Sequence, residues 1–197
     1  MRIFQLRDKS HSDEWLYPIA KELLKLCERY NALFVLNDRL DLALRLNAPA
    51  LHIGKDDGEF AAVRERFSGI LGASSYGDLQ RAKILESLGA DYVAFGAFFP
   101  SPTKPNATAA PLELLPQAKQ TLKIPICAIG GISTQNIYLL KNADMCAVIS
   151  SLWANNSQDS STPKSTRTNP THTESTLQNR LDSIAHNAKA LQKALHK

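Results

Sequence analysis

Tyr92-Val93-Ala94-Phe95-Gly96-Ala97-Phe98-Phe99-Pro100-Ser101-Pro102-Thr103-Lys104 joins a continuous apolar run to a proline-broken polar end. An unbroken run of β-formers suits a strand buried on both faces, as in a parallel sheet covered by helices. Pro100 and Pro102 cannot continue a ladder, so the strand must stop there. The stop delivers two hydroxyls, Ser101 and Thr103, and the cation Lys104 to the strand's C-terminal end. In parallel β/α folds that end gathers ligands. Taken alone, Ser-Pro-Thr-Lys reads more readily as a solvated loop with one surface lysine. The other strand ends decide the matter.

Working outward, the pattern repeats. Ile3-Phe4-Gln5-Leu6-Arg7 reads as a strand running into Asp8 and Lys9. Leu33-Phe34-Val35-Leu36 reads as the next, ending at Asn37-Asp38-Arg39. Ala50-Leu51-His52-Ile53-Gly54 ends at Lys55-Asp56-Asp57, and Ile70-Leu71-Gly72-Ala73 ends at Ser74-Ser75-Tyr76. Beyond the central strand come Ile124 to Ile129, ending at Gly130-Gly131, and Met145 to Ile149, ending at Ser150-Ser151. Apolar residues at helical spacing fall between successive strands, from Trp15 to Tyr30, Leu40 to Leu46, Phe60 to Phe67, Leu79 to Leu88, Leu112 to Leu122 and Asn136 to Lys141. Pro18 is expected near the first turn of its helix, where a missing N–H costs nothing. Seven strands alternating with helices predict an α/β fold with a parallel sheet, and polar or glycine residues at every strand end predict a barrel. A (β/α)8 TIM barrel has eight strands. Seven are recognisable here, so the expectation is a barrel truncated at its N-terminal side.

Composition bounds the alternatives. The 197 residues are 44% hydrophobic and 21% charged, ordinary values for a globular chain with one core. Residues 155–197 carry +3 of the net charge of +4, so the body of the chain is nearly neutral and has no nucleic-acid-binding character. Cys27, Cys127 and Cys146 lie far apart in apolar segments and read as reduced core thiols, consistent with a cytoplasmic protein. No run approaches the length of a membrane span, and charged Arg2, Arg7 and Asp8 argue against a signal peptide. Residues 155–176 contain no large apolar side chain and are expected to be disordered. Helical spacing resumes at Leu177. The expected division is a catalytic body at 1–154, a polar insert at 155–176 and a closing helix at 177–197.

Read as chemistry, the strand ends supply cations (Arg7, Lys9, Lys104, with Arg39 and Lys55 nearby) and two carboxylates, Asp38 and Asp57. Cations and carboxylates together suggest a phosphate chain bridged by Mg2+, a hard ion that takes oxygen ligands. Gly130-Gly131 and Ile149-Ser150 suit a second, monophosphate site built from backbone N–H groups. Asp38 also suits a helix cap, and His52, inside a strand, reads as a packed residue rather than a catalytic base.

Seven motifs stand in an order and spacing that resemble thiamine phosphate synthase. They are Gln5-Leu-Arg-Asp-Lys9, Asn37-Asp38-Arg39, His52-Ile-Gly-Lys-Asp-Asp57, Gly72-Ala-Ser74, Phe99-Pro-Ser-Pro-Thr-Lys104, Ala128-Ile-Gly-Gly-Ile132 and Val148-Ile-Ser150. The resemblance implies a transferase that joins hydroxymethylpyrimidine pyrophosphate to thiazole phosphate, with a pyrimidinyl-methyl cation captured by the thiazole nitrogen. It implies that Gln5, Arg7, Lys9, Asn37, Ser74 and Lys104 hold the pyrimidine pyrophosphate. Asp38 and Asp57 would bind Mg2+. Ser101, Pro102, Thr103, Gly131, Ile149 and Ser150 would hold the thiazole phosphate. Lys104, Arg7 and Lys9 would stabilise the departing charge. The chain departs from the family at Lys55, Ser75-Tyr76 and Ser101, and it lacks a strand and helix that the family carries before Gln5. Two other readings are a thiazole tautomerase, for which Ala97 stands where that relative has a histidine, and an inactive phosphate-binding barrel. The small-molecule partners follow from the resemblance; no oligomeric state does.

Overall fold

Seven parallel strands lie side by side in the order of the chain, β1-β2-β3-β4-β5-β6-β7. The structure is a computed structural model, described for residues 2–55, 57–100, 109–153 and 174–195, with the backbone alone for 174–177. The strands are β1 (Ile3–Leu6), β2 (Leu33–Asn37), β3 (Ala50–Ile53), β4 (Ile70–Tyr76), β5 (Tyr92–Phe95), β6 (Ile126–Ile129) and β7 (Met145–Ala147). Between them run α1 (Asp13–Arg29), α2 (Leu40–Leu46), α3 (Phe60–Arg66), α4 (Leu79–Ser87), α5 (Leu114–Thr121) and a 3-10 turn at Ile137–Leu140. The short α6 (Ser150–Trp153) and the long α7 (Glu174–Leu195) follow β7. A doubly wound sheet would reverse its strand order partway. Consecutive order throughout places every right-handed crossover on one side, which is the winding of a β/α barrel. The sheet is accordingly a curled, seven-stranded TIM-barrel-like body. Among the described residues β1 pairs with β2 alone and β7 with β6 alone.

Side-chain alternation divides the two faces. Phe34 and Leu36, Leu51 and Ile53, Leu71 and Ala73, Val93 and Phe95, and Ile126 and Ala128 join helix residues such as Leu16, Ala20, Leu42 and Leu115 in one buried cluster. The intervening residues therefore point to the concave side. They include Gln5, Asn37, His52, Gly72, Ser74, Tyr92, Ala94 and Cys127. Three apolar sites on that face are small, which lets the sheet curl. Cys27 and Cys127 are buried and Cys146 is half-buried, all as free thiols. Burial pushes the Cys127 thiol up to about 12.

At the N-terminal end of the sheet, one device occurs twice. The Asp91 N–H donates to Leu71 O at 2.9 Å, and its carboxylate accepts from Leu71 N at 2.7 Å. Asp144 does the same with Ile126, at 2.9 Å in both directions. Each aspartate thus clasps the strand beside its own, and each is paired with a cation, Arg64 and Lys119 respectively. The clasps fix where β4 and β6 begin.

Several boundaries differ from expectation. Ser12 caps α1 by accepting from Trp15 N, so the helix starts at Asp13 and Pro18 sits inside it rather than in its first turn. Pro18 lies on the exposed face of the helix. β4 extends to Tyr76 across a register shift at Ser74/Tyr76. The last helix begins at Glu174, three residues before the expected start. Its Leu191 is buried and its Asn187 Nδ2 donates to Leu152 O at 3.2 Å, which seats α7 on α6. Residues 154–173, most of the expected insert, lie outside the described residues. No described helix is long and apolar enough to cross a membrane.

Candidate active site

The C-terminal ends of the strands form a rim, and the rim carries two groups of expected residues. The first group is an ion cluster. Lys9 Nζ, just past β1, lies 2.9 Å from Asp38 Oδ2 and 3.0 Å from Asp57 Oδ1. Two carboxylates from neighbouring strand ends therefore converge on a single point. Local backbone geometry sets this up. Asp38 follows β2 with φ of 69° while its N–H donates to His52 O at 2.8 Å, a left-handed turn that Asp tolerates better than most residues. Asp57 is held by Gly54 N–H at 2.8 Å.

Charge is unevenly shared within the cluster. Burial pushes the Asp38 carboxyl up, and the neighbouring Asp57 pushes it further, with Lys9 opposing. Burial also works against Asp57, but hydrogen bonds from Asp38, Lys9 and Gly54 outweigh it and bring its carboxyl down to about 2. Lys9 is held in its charged form, chiefly by its hydrogen bonds to Asp38 and Asp57. Asn37, beside Asp38, is buried, and its Nδ2 finds no acceptor among the described residues. A buried donor of this kind is costly to leave unpaired, so it is suited to a ligand.

The second group lines a cavity of about 650 Å³ at the other side of the rim. Ser74, Gly131, Ile149 and Ser150 all border it, together with Tyr76, Gly96, Ala97 and Ala109–Pro111. Gly131 has φ of +60°, and a Cβ there would lie 2.3 Å from Pro100 O, so only glycine lets the β6 and β5 loops approach this closely. The Ser151 hydroxyl donates to Ile132 O at 2.6 Å and ties α6 to the glycine turn. Tyr76 links the two groups, because it lines the cavity while its Oη accepts from Lys55 N at 3.4 Å in the loop that carries Asp57.

Other expected residues take different places. Gln5 lies on the concave face of β1, and Gln5 and Arg7 are exposed at the rim. Ser101, Pro102, Thr103 and Lys104 lie outside the described residues. Arg39, expected among the rim cations, is a strut instead. It donates to the carbonyls of Asp8 and His11 and pairs with Asp13, locking the β1–α1 loop onto the end of β2. His52 is a packed strand residue, but a polar one: Nδ1 lies 2.9 Å from Tyr92 Oη and Nε2 lies 2.9 Å from Ser74 Oγ. Tyr92 had no signal in the sequence beyond its position at the start of a strand, and Tyr76 only its place at a strand end where the chain departs from the family it resembles. Among the described residues no three His, Cys, Asp or Glu side chains gather closely enough to hold a metal by themselves.

Winding, rim and cavity together define a β/α-barrel enzyme whose site lies at the C-terminal ends of its strands. Comparison with known proteins narrows the class. Residues 1–152 match the family model described as Thiamine monophosphate synthase. A thiamine-phosphate synthase of Wolinella succinogenes is 52% identical over 155 residues, which cover 78% of this chain and 72% of that protein. One of Halorhodospira halophila is 46% identical over 156 residues, covering 77% and 75%. The thiamine phosphate pyrophosphorylase of Pyrococcus furiosus superposes with a TM-score of 0.73 at 30% identity, over 98% of this chain and 84% of that one. A 3-hexulose-6-phosphate synthase shares the fold, with a TM-score of 0.62 at 13% identity. The chain belongs to the thiamine-phosphate synthase family, a family of transferases in thiamine biosynthesis.

Proposed function

We propose that this chain condenses hydroxymethylpyrimidine pyrophosphate with thiazole phosphate, releasing pyrophosphate, in the cytoplasm. The observation that carries the proposal is the convergence of Asp38 and Asp57 on one cation at the rim that also holds the cavity. The donor set suits Mg2+. Asp38 and Asp57 would hold it, with water and a diphosphate supplying the other oxygens, the usual division for this metal. Bound there, Mg2+ would neutralise diphosphate charge.

The chain's own residues would do the rest. Lys9 would leave the carboxylates for the diphosphate, with Arg7 and Lys104 as its other cationic contacts. Gln5, Asn37 and Ser74 would orient the pyrimidine, with the Asn37 amide supplying the donor that otherwise lacks an acceptor. Ser101, Pro102, Thr103, Gly131, Ile149 and Ser150 would hold the thiazole phosphate, placing its ring nitrogen against the pyrimidine methylene. No side-chain nucleophile is required. The pyrimidine's own electron donation stabilises the cation as the carbon–oxygen bond breaks, so positioning and charge stabilisation carry the rate. Steady-state formation of thiamine phosphate from both precursors with Mg2+, one pyrophosphate appearing per product, tests the proposal. Failure to form product under those conditions would defeat it.

A further inference from the structure

Three consecutive strands present His52, Gly72 and Tyr92 at one level of the concave face, in the register His52↔Gly72↔Tyr92. Gly72 makes the arrangement possible. A Cβ at that position would lie 1.9 Å from the Tyr92 ring, so the ring lies across β4 where only glycine leaves room. Tyr92 thereby reaches over one strand, its ring centroid 5.5 Å from that of His52 and its Oη 2.9 Å from Nδ1. From the far side of the imidazole, Nε2 meets Ser74 Oγ at 2.9 Å. Ser74 stands two residues above Gly72 on the same strand and borders the cavity.

The direction of these hydrogen bonds follows from which proton has somewhere else to go. Burial holds the Tyr92 phenol well above its ordinary value, so it keeps its hydrogen. His52 is buried, and a neutral imidazole has one N–H and one bare nitrogen. Among the described residues, His52 Nδ1 is the one hydrogen-bond partner of Tyr92 Oη. A buried phenolic hydrogen needs an acceptor, which makes Nδ1 the bare nitrogen. Nε2 then carries the proton and donates to Ser74 Oγ. With one lone pair engaged from behind, the serine's own hydrogen is released toward the cavity.

We propose that Tyr92 and His52 are positioning residues that fix the Ser74 hydroxyl as a hydrogen-bond donor, so that the substrate atom it meets is an acceptor. A ring nitrogen of an aromatic base or a phosphate oxygen has that character; an exocyclic amine as donor does not. The relay itself needs no ligand, whereas the identity of its substrate rests on the function proposed above.

Two measurements test it. The first is 15N NMR of the intact, ligand-free protein labelled at histidine. The expected spectrum shows His52 with Nε2 protonated and Nδ1 bare, and Tyr92→Phe, which keeps the ring over Gly72, should shift His52 away from that single tautomer. A His52 protonated at Nδ1 in the wild type would overturn the proposal, whatever the enzyme's activity. The second is a double-mutant cycle on thiamine phosphate formation. Tyr92→Phe should lower kcat about 5- to 10-fold, the worth of one hydrogen bond. Combined with Ser74→Ala it should add little to the loss from Ser74→Ala alone. Fully multiplicative losses would show that Tyr92 does not act through Ser74. Should Tyr92→Phe fail to fold, the wild-type spectrum decides. A wild type with the expected tautomer and no transferase activity would count against the proposed function and leave the relay in place.

Discussion

Two pairs of aspartates flank the sheet, Asp91 and Asp144 at the N-terminal ends of the strands and Asp38 and Asp57 at the C-terminal ends. At the lower end each carboxylate spends its lone pairs on the fold, accepting from a backbone N–H near the start of a neighbouring strand and from its own cation. At the rim, by contrast, two carboxylates share one half-exposed lysine and crowd each other. A cation on a flexible stem can be displaced; a backbone N–H cannot. The lower pair is therefore tied to neighbouring strands through the backbone, whereas at the upper pair the shared cation is the displaceable partner, Asp57 keeping its bond from Gly54 N–H. Chemistry at the rim and stability at the floor is the division expected of a β/α barrel.

Removing the rim carboxylates should separate the two ends most clearly. Asp38→Ala or Asp57→Ala should lower Mg2+-dependent turnover by about 10³-fold or more, since several kcal/mol of charge stabilisation depend on them. Circular dichroism and the thermal midpoint should stay close to the wild type. Collapse of the fold in either variant would put these residues in the structural class with Asp91. Lys104→Ala comes next. Loss of one preorganised charge-stabilising donor typically costs about 10² to 10³ in rate. The loss should fall on kcat more than on KM for the pyrimidine pyrophosphate, because only differential binding of the transition state speeds the chemical step. Lys104→Arg should rescue little, since a planar fork differs from a compact ammonium in reach and geometry. An unchanged kcat with a raised KM would make Lys104 a ground-state contact.

The lower pair should give the reverse outcome. Asp91→Ala strands the N–H of Leu71, a residue whose side chain is fully buried near the start of β4. An orphaned buried donor costs about 1–3 kcal/mol, which a denaturation midpoint would register. Turnover per folded molecule should be unaffected. A catalytic loss without a stability loss would erase the distinction between the two ends.

This division was half legible in the sequence. Asp38, Asp57, Ser74, Gly131 and Ser150 sit where apolar runs break into polar or glycine residues, so the strand pattern put them at the strand ends together with the barrel. Asp91 and Asp144 stand before their strands, where a charge looks like any loop residue, and their partners are backbone N–H groups of other strands. Arg39 was misplaced for the same reason: its partners include two carbonyls that no residue type reveals. The His52–Tyr92 contact joins residues 40 apart across a glycine, and it exists only once three strands have curled together. The early start of α1 was legible in Ser12, but the apolar spacing pointed to Trp15.

The smallest expected effect concerns the charge on Asp144, and it tests whether the floor clasp is ionic as well as hydrogen-bonded. Burial works against its ionised form, but the hydrogen bonds from Lys119 and from Ile126 N–H prevail and hold the carboxyl below its ordinary value. A carboxyl depressed by folding contributes stability that is present above its unfolded pKa, near 3.9, and is lost as pH falls through the folded value. Asp144→Asn keeps an oxygen that can accept from Ile126 N–H but removes the charge facing Lys119. At pH 7 the variant should be less stable by a few tenths to about 1 kcal/mol, since the pair is partly exposed and solvent screens it. Urea titrations at steps from pH 6 downward should show the gap between wild type and variant closing below about pH 4. A gap that stays constant with pH would mean that the clasp works through its hydrogen bond alone. A gap that widens in acid would mean that folding raises the carboxyl's pKa, the opposite sign.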